Sequence, residues 1–569
     1  MKPKNKNERD MDDLEISAFS VLDEQSGERK MALIFRRTNG RRDCLVTSEA
    51  LSESPKRLLK QINDKGADLP KSLDARLELI RRACETYQRK DLTLAKQPGF
   101  KGHDGFVLGR RRIGTAKSTH FVDIPISQKE KCIGNARGSL ESWQLSIARP
   151  AGYSSSAVFA ILLALAAPLK RYVSDRLKDK KSGDLVSETA TFLFIGDSST
   201  GKSTIGRIAA STMGNADPSH WNFTRRKLEE LADQHNNLLL ILDDTERHIE
   251  EGGVKLSLAL RQVSQVIPGG ASKQISEFAR QSGLLPELKF ETWGLASGID
   301  SETHPFSGNG WRPSPGEMHR LIVIPVPSGG IFDRSETVEG SQRLIAGLEL
   351  ALKNYYGMPM RKWLQYLLEK NRSRRILRYR DKFVNLVGAS SSYDVRLARK
   401  FGAIYAAGRE AIRAKIVPWS PQIVKESVRA CYDASQGYLT MRKHSANDMH
   451  SSARDLRAKV IECLRNENKF VQADNDNEVR LKSDQLGVVA TYKDRKVFAI
   501  RNSELVTLCG GRQAAERVLK LFENDGVLLK AKGGTVCTIQ LPVTVSDSKG
   551  RTKRPRFHLL KFKARNLPA

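Results

Sequence analysis

The segment TFLFIGDSSTGKST, residues 191–204, decides the fold of this chain. Its apolar start, Phe192–Ile195, is typical of a strand that is buried on both faces. A glycine- and serine-rich stretch follows, and a helical pattern then runs from Ser203 to Met213. The stretch matches the pattern G-x-x-x-x-G-K-[ST], in the strand–loop–helix context in which this pattern folds as a phosphate-binding loop. The matching residues are Gly196, Gly201, Lys202 and Ser203.

A loop of this kind points successive backbone N–H groups at phosphate oxygens. The side chain of Lys202 is expected to reach the β and γ phosphates, and the hydroxyl of Ser203 is expected to bind Mg²⁺. We therefore predict that ATP and Mg²⁺ bind here. The predicted nucleotide site takes in Gly196, Asp197, Ser198, Ser199, Thr200, Gly201, Lys202, Ser203 and Thr204.

A second apolar run ends in carboxylates, in the arrangement called Walker B. It is LLLILDDTE, residues 238–246, and Asp243 is expected to hold Mg²⁺ through water. Asp244 stands where hydrolysing ATPases place a water-activating carboxylate, usually the longer Glu. Either Asp244 acts through a shifted water or Glu246 contributes. The alternative interpretation is a pair of solvated carboxylates at the end of a strand.

Two later segments supply further candidates for the chemistry of hydrolysis. TWGLASG, residues 292–298, predicts a strand that ends at Ser297, a sensor-type position beside the γ-phosphate. EMHRLIVIPVP, residues 317–327, places Arg320 just before another buried strand. Arg320 is either an arginine finger for the ATP of a neighbouring subunit or one half of a surface ion pair. Strands that alternate with helices predict a parallel, three-layer α/β core.

Composition narrows the class of partner. The chain has 569 residues, with 95 Lys and Arg against 65 Asp and Glu, which gives a formal net charge of +30. A polyanion, and nucleic acid before membrane, is the expected partner, although a merely soluble basic protein has the same composition. The run Ala157–Leu169 is too short to cross a bilayer, which needs about 20 residues, and predicts a buried helix. Seven cysteines without a CxxC pair predict no disulfide scaffold and a cytoplasmic location.

The regions on either side of the core are less distinctive. Strands are predicted between Ser17 and Ser48, at Gly105–Leu108 and at His120–Ile124, and a helix is predicted over residues 70–92. Residues 340–435 are predicted to be mostly helical. They include the basic stretch Arg361–Arg380, which either touches a phosphate backbone or is a solvated helix face.

Residues 502–540 predict a helix, a turn, a second helix and a strand–wing–strand hairpin, which is the winged-helix layout. Arg512 and Arg517 fall on the outer face of the second helix and are candidates for DNA contact. Winged helices also dock other proteins, so a protein partner remains the alternative for this unit.

Four runs resemble the bacterial and phage family known as domain of unknown function 927. They are GDSSTGKSTIGRIAASTMG (196–214), WNFTRRKLEELADQHNNLLLILDD (221–244), ETWGLASG (291–298) and HRLIVIPVP (319–327). Proteins with this domain occur on phages and mobile elements. Some resemble the minichromosome-maintenance branch of AAA+ helicases, which form hexameric rings and translocate on DNA.

The resemblance implies roles for individual residues. Ser297 matches the sensor-1 position, and Arg320 matches the arginine finger of the helicase branch. VRLARKFGAIYAAG, residues 395–408, resembles the family's helical lid, and Arg396 is the first choice for a nucleotide-binding sensor 2. A channel hairpin before sensor 1 makes Lys273 and Arg280 candidates for DNA phosphate contacts. Ordinary solvated loop charges explain these two residues equally well.

Taken together, the sequence predicts an α/β, AAA+-like P-loop NTPase core with added domains. The predicted order is a polar tail (1–14), an α+β domain (15–145), the ATPase core (146–335), a helical lid (336–440) and a winged-helix-like domain (441–569). The predicted function is an ATP-hydrolysing, ring-forming DNA helicase, a homo-oligomer and by resemblance a hexamer, acting on single-stranded or forked DNA. The alternative is an ATP-dependent switch or scaffold, for example in defence against phage, that does not unwind DNA.

Overall fold

The computed structural model of the chain describes residues 16–23, 27–40, 42–109, 111–114, 120–122, 133–177, 184–215, 218–221, 223–243, 256–273, 287–299, 314–335, 337–465, 469–473, 479–481, 485–492, 495–509, 512–529, 538–540, 543–546, 552–553 and 556–561. The chain divides into two units, Met1–Tyr438 and Leu439–Ala569.

A five-stranded sheet with strand order β3-β2-β1-β4-β8 forms the N-terminal part of the first unit. Its strands are β1 (Ser17–Asp23), β2 (Arg29–Arg36), β3 (Arg42–Ser48), β4 (Gln88–Ala95) and β8 (His120–Val122). A separate antiparallel sheet consists of β5 (Gly99–Lys101), β6 (Gly105–Leu108) and β7 (Arg111–Gly114). Helices α1 (Pro55–Asp64) and α2 (Leu73–Glu85) pack on β2 in one core with Leu58, Ile80 and Phe35.

The helix predicted over residues 70–92 is therefore wrong at its C-terminal end. The helical spacing of apolar residues stops at Ala83, the helix ends at Glu85, and the chain then enters β4. Strand β4 is held by parallel pairing with β1, a contact with a distant segment that local periodicity does not show.

The central sheet of the first unit has five strands in the order β10-β11-β12-β9-β13. They are β9 (Thr191–Gly196), β10 (Ser219–His220), β11 (Leu239–Asp243), β12 (Trp293–Ile299) and β13 (Leu321–Pro325). All four pairs of neighbouring strands are parallel, which confirms the predicted parallel α/β sheet. The carboxyl ends of all five strands consequently meet at one edge of the sheet.

Some helices precede this sheet in the chain, and others connect its strands. They are α3 (Leu140–Trp143), a π-helical turn (Gln144–Ala148), α4 (Arg149–Ala151), α5 (Ser155–Ala166), α6 (Leu169–Arg176), α7 (Lys202–Met213), α8 (Arg225–Gln234), α9 (Leu256–Gly269) and α10 (Pro315–Met318). Every residue of α5 is buried, as predicted for the apolar run. The stretch Ser155–Arg176 is long and apolar enough to span a membrane by composition, yet 89% of its apolar 18-residue window is buried inside the protein.

The remainder of the first unit is helical, as the sequence predicts. It contains α11 (Val338–Asn354), α12 (Met358–Glu369), α13 (Ser373–Leu386), α14 (Ser392–Arg413) and the long α15 (Pro421–Arg465), whose residues continue past the boundary between the two units.

Part of the basic stretch Arg361–Arg380 has a structural role. Arg375 forms an ion pair with the fully buried Glu410, and Arg380 donates to the backbone carbonyl of Leu185 at 3.2 Å. Arg361 donates to the carbonyl of Gly134 at 2.6 Å. Arg375 thus joins two helices, and Arg361 and Arg380 tie their helices to connecting segments, which favours the structural interpretation for these three arginines.

The second unit contains more sheet than the winged-helix prediction expects. Its main sheet has the order β14-β16-β17-β21-β18, and a smaller one has the order β15-β19-β20. The strands are β14 (Phe470–Ala473), β15 (Val479–Leu481), β16 (Gly487–Tyr492), β17 (Arg495–Arg501), β18 (Thr538–Gln540), β19 (Val543–Ser546), β20 (Thr552–Lys553) and β21 (Arg556–Leu560).

The two predicted helices of this unit are present, as α16 (Asn502–Leu508) and α17 (Arg512–Asn524). The predicted hairpin is different, because both of its arms pair with β21 within the part of the chain that is described. Leu528 forms an isolated bridge with Leu560, and β18 pairs with β21 along its length. The segment Arg556–Leu560 thus supplies a strand to this sheet, which local sequence patterns do not reveal because its pairing partners are distant in the chain.

Candidate nucleotide site

The glycine-rich loop lies at the carboxyl edge of the central sheet, between the end of β9 at Gly196 and the start of α7 at Lys202. Two of its residues have left-handed backbone conformations, Ser199 with φ of 63° and Gly201 with φ of 94°. A Cβ atom on Gly201 would lie 3.0 Å from side-chain carbons of Ile331. Glycine is therefore required at position 201 both by the backbone conformation and by the available space.

Lys202 lies across the opening of this loop. Its Nζ donates to the backbone carbonyl of Gly196 at 2.9 Å and also to that of Asp197. The hydroxyl of Thr200 donates to the same Asp197 carbonyl at 2.9 Å. The ammonium group is thus placed among loop atoms, where it would face a bound phosphate.

A segment after β13 braces the loop, and sequence reasoning did not identify it. The backbone N–H of Val326 donates to the carbonyl of Ile195 at 2.7 Å, and that of Ile331 donates to Thr200 at 3.1 Å. Gly330 turns the chain between them, with φ of 92°. The Gly329-Gly330 pair is a turn signal in the sequence, but its contact with the loop depends on the neighbouring positions of β9 and β13 in the sheet.

Asp243 and Ser297 meet at the same edge of the sheet. Asp243 is the last residue of β11, and Ser297 lies on the adjacent strand β12, where Leu242 is paired with Ala296. The Ser297 hydroxyl donates to Oδ1 of Asp243, and the Ser297 side chain is buried. The structure therefore brings together two residues that the sequence predicted separately. Asp244 and Glu246 lie outside the described residues.

The chemistry of the side chains fits Mg²⁺. This ion prefers oxygen ligands, keeps several waters, and is usually held by one or two carboxylates together with substrate phosphates. Asp243 offers a carboxylate whose Oδ1 is oriented by Ser297, and Ser203 offers a hydroxyl in the first turn of α7. These two residues are the ones that would hold the ion.

Arg320 and Arg396 lie together at the opposite edge of the sheet. Both contact Glu188, Arg320 through Nε at 3.0 Å and Arg396 through Nη2 at 2.7 Å. Arg320 immediately precedes β13, and its carbonyl accepts from the N–H of Thr191, the first residue of β9. The structure therefore does not bring Arg396 to the loop of its own chain, where a nucleotide-binding lid residue was expected, but places it beside Arg320.

Burial and charge set the protonation of this second cluster. Burial opposes ionisation of Glu188 most strongly, but the hydrogen bond from Arg320 and the charges of Lys400, Arg320 and Arg396 outweigh it and lower its pKa. Burial lowers the pKa of Lys400 to about 7. Burial, with the nearby Lys400 and Arg396 charges, lowers the pKa of His319 to about 4, so that imidazole is neutral at pH 7.

The predicted nucleic-acid contacts are only partly described. Lys273 is exposed, and its backbone N–H donates to Glu229 at 3.0 Å. Arg280 lies outside the described residues, as does the side chain of Arg512. Arg517 is half-buried on α17. Lys273 belongs to the first unit, and Arg512 and Arg517 belong to the second.

The fold and the site together define a mixed α/β protein with a parallel central sheet and a glycine-rich loop between strand β9 and the following helix. Residues 6–254 match the family described as "Domain of unknown function (DUF927)", which confirms the resemblance found in the sequence for that part of the chain.

Two of the solved structures that are similar to the chain are described here. One, described as "SCCmec type IV Cch - active helicase", is 15% identical, with 97% of this chain and 93% of that chain covered and a TM-score of 0.49. The other is a full-length MCM homolog from Methanopyrus kandleri, 11% identical, with 67% of this chain and 95% of that chain covered and a TM-score of 0.30. No curated protein matches the chain.

Proposed function

We propose that this protein is a P-loop NTPase of the AAA+ type that hydrolyses ATP. The observation that carries the proposal is a juxtaposition at one edge of the central sheet. The loop Gly196–Thr204 follows β9; Ser297 lies near the end of the adjacent strand β12 and donates to Asp243, the last residue of β11. A phosphate cradle beside an oriented carboxylate is the arrangement that phosphoryl transfer to water requires.

The strand order supports the AAA+ type in particular. Strand β12 lies between β9, which carries the loop, and β11, which carries Asp243. This inserted strand brings Ser297 between the loop and the carboxylate, as the sensor-1 role requires. Bound Mg²⁺ would neutralise charge on the β and γ phosphates, and Ser203 and Asp243 would hold it.

Arg320 supports an oligomer in which ATP lies between two copies of the chain. Within one copy, Arg320 and the loop are at opposite ends of β9. Arg320 can therefore stabilise transferred phosphate only at the loop of another copy, and Arg396, which shares Glu188 with it, would face the same nucleotide. Such head-to-tail contacts close into rings, and the family resemblance favours a hexamer.

A net charge of +30 favours a polyanionic partner, and we propose that this partner is DNA. The proposed activity is therefore that of a DNA helicase. The test is ATP turnover by the purified full-length protein with and without single-stranded DNA, with Lys202→Ala as control. Turnover that is stimulated by DNA and lost in the variant supports the proposal. A rate of ATP turnover that DNA does not change favours a nucleotide-dependent switch. Equal turnover by Lys202→Ala and the wild type would contradict the proposed nucleotide site.

A further inference from the structure

Glu188 connects the two arginines that lie away from the loop. Its Oε2 accepts from Arg320 Nε at 3.0 Å, and its Oε1 accepts from Arg396 Nη2 at 2.7 Å. We propose that Glu188 is a positioning residue, which holds Arg320 and Arg396 as one unit directed at the nucleotide bound by a second copy of the chain. This inference rests on the proposed function and adds a residue that sequence reasoning did not single out.

The hydrogen-bond pattern suits positioning rather than blocking. An arginine side chain has five N–H donors in a rigid, planar arrangement. Among the described residues, Glu188 accepts one hydrogen bond from Nε of Arg320 and one from Nη2 of Arg396. Each guanidinium therefore keeps donors for a phosphate without breaking its contact with Glu188, and a bidentate Arg–phosphate contact gains from an orientation that is already fixed.

The Glu188 side chain is less exposed than the two arginine side chains that it contacts. The Glu188 side chain is 15% exposed, whereas those of Arg320 and Arg396 are 40% and 49% exposed. The two guanidinium groups thus reach the surface and the group that orients them does not. This is the arrangement expected of a support for side chains that act on a ligand outside their own chain.

Charge gives Glu188 a second task. Two guanidinium groups share one carboxylate, and Nζ of the buried Lys400 lies 4.0 Å from the same Oε1. Without the carboxylate, the two guanidinium groups would repel each other and the exposed arginines would turn away into solvent. Lys400 itself is anchored, because it donates to the carbonyl of His319 at 3.0 Å.

The cluster is also built on rigid backbone. Glu188 lies three residues before β9, and Arg320 directly before β13, which is paired with β9. The Thr191 N–H donates to the Arg320 carbonyl at 2.8 Å, so the two strand starts are locked together. Positions fixed by a sheet are more exact than positions on a free loop.

The first experiment compares wild type with Glu188→Gln, which keeps the shape and removes the charge. We expect kcat for ATP to fall roughly 10- to 100-fold, the cost of a small misplacement of catalytic groups. The Kd of a fluorescent ATP analogue should stay within about threefold, because the cluster lies away from the loop of its own chain. Glu188→Asp keeps the charge and should retain more kcat than Glu188→Gln.

A matched control is Glu291→Gln. Glu291 also precedes a strand of the central sheet, is 26% exposed, and pairs with Lys170 at 3.1 Å instead of with an arginine. It should keep the wild-type kcat. An equal loss of kcat in both variants would mean that any missing ion pair at this edge disturbs the sheet, and would overturn the assignment to Glu188.

An experiment with mixed subunits distinguishes a positioning role of Glu188 from a folding defect in the variant. Lys202→Ala subunits lack a working loop but present an intact arginine pair, so adding them to Glu188→Gln subunits should raise turnover above that of either variant alone. No restoration, with mixed assembly shown by size-exclusion chromatography, overturns the inference. If wild type itself does not hydrolyse ATP, the proposed function fails and the inference fails with it. If wild type turns over and Glu188→Gln matches it, only the inference fails.

Discussion

Arg320→Ala tests whether the nucleotide site is shared between copies. The Cα positions of Leu321 and Thr191 are paired, so Arg320 lies at the start of β9, whereas Gly196 is its last residue. Five residue steps at roughly 3.3 Å place the loop about 16 Å away. An extended arginine side chain reaches only about 7 Å from its Cα at ordinary bond lengths. The variant should therefore bind ATP as the wild type does.

The effect on turnover should be large. Arginine fingers contribute roughly 10³- to 10⁵-fold to kcat, and a thousandfold loss corresponds to about 4 kcal/mol of transition-state stabilisation. We expect Arg320→Ala to lose at least that factor in kcat with the Kd for ATP nearly unchanged. An arginine that formed only a surface ion pair would cost no more than about 1 kcal/mol of stability and would leave kcat intact.

The decisive assay is a titration of Arg320→Ala with Lys202→Ala at constant total protein. In a random one-to-one mixture of a head-to-tail ring, about one quarter of the interfaces join an intact loop to an intact arginine. Turnover should rise from near zero to about that fraction of the wild-type rate if the interfaces act independently. Lys202→Ala mixed with itself or with a doubly substituted chain is the control and should stay inactive.

Two results would refute this reasoning. If Arg320→Ala weakened ATP binding tenfold or more, Arg320 would be acting on the loop of its own chain, against the distance along β9. If both variants assembled into mixed oligomers without any recovery of turnover, the site would not be composed from two chains.

Three further predictions concern single side chains. Ser297→Ala removes the hydroxyl that orients Asp243 and should lower kcat roughly 10- to 100-fold with little change in the Kd for ATP, measured by steady-state turnover and nucleotide titration. The pKa of His319 is lowered from 6.5 to about 4, so between these pH values only the unfolded chain binds a proton at this residue. In His319→Phe the free energy of unfolding should therefore decrease less as the pH falls. Urea unfolding at pH 7 and pH 4.5 should show that this group contributes up to about 3 kcal/mol, present above pH 6.5 and lost as the pH falls towards 4. Gly201→Ala, with φ of 94° and Ile331 3.0 Å from the added Cβ, should cost about 1–3 kcal/mol of stability and weaken ATP binding, whereas Gly347→Ala, which meets nothing within 4 Å, should cost neither.

The parts of the fold that the sequence predicts best are those with strong local periodicity. The apolar run before Gly196 and the helical spacing after it predicted a strand and a helix. The predicted ends lie within two residues of the observed ends of β9 and α7. The runs that became β11 and β13 were equally clear. The strands β9, β11 and β13 are buried in a parallel sheet, so their residues are apolar with little dependence on distant partners.

The parts that the sequence does not predict depend on contacts between distant segments. Strand β4 exists because β1 pairs with it, and β21 completes a sheet whose other strands precede it in the chain. Glu188 has no local signature, since its hydrogen-bond partners Arg320 and Arg396 are 132 and 208 residues away. The resemblance of residues 395–408 to a helical lid predicted α14 but not the edge of the sheet that this helix reaches.

Placing the loop and the arginine pair at opposite ends of β9 has a consequence for assembly under the proposed function. One chain then carries two half-sites that cannot meet within the same copy, one at the carboxyl end of the sheet and one at its amino end. In a two-fold symmetric dimer, residue i of one copy meets residue j of the other and the reverse, so such a dimer completes the sites only if both half-sites lie on the one shared surface. A head-to-tail contact completes one site for each interface, and closure into a ring leaves none unpaired. Turnover should therefore rise more steeply than linearly with protein concentration until the ring has formed.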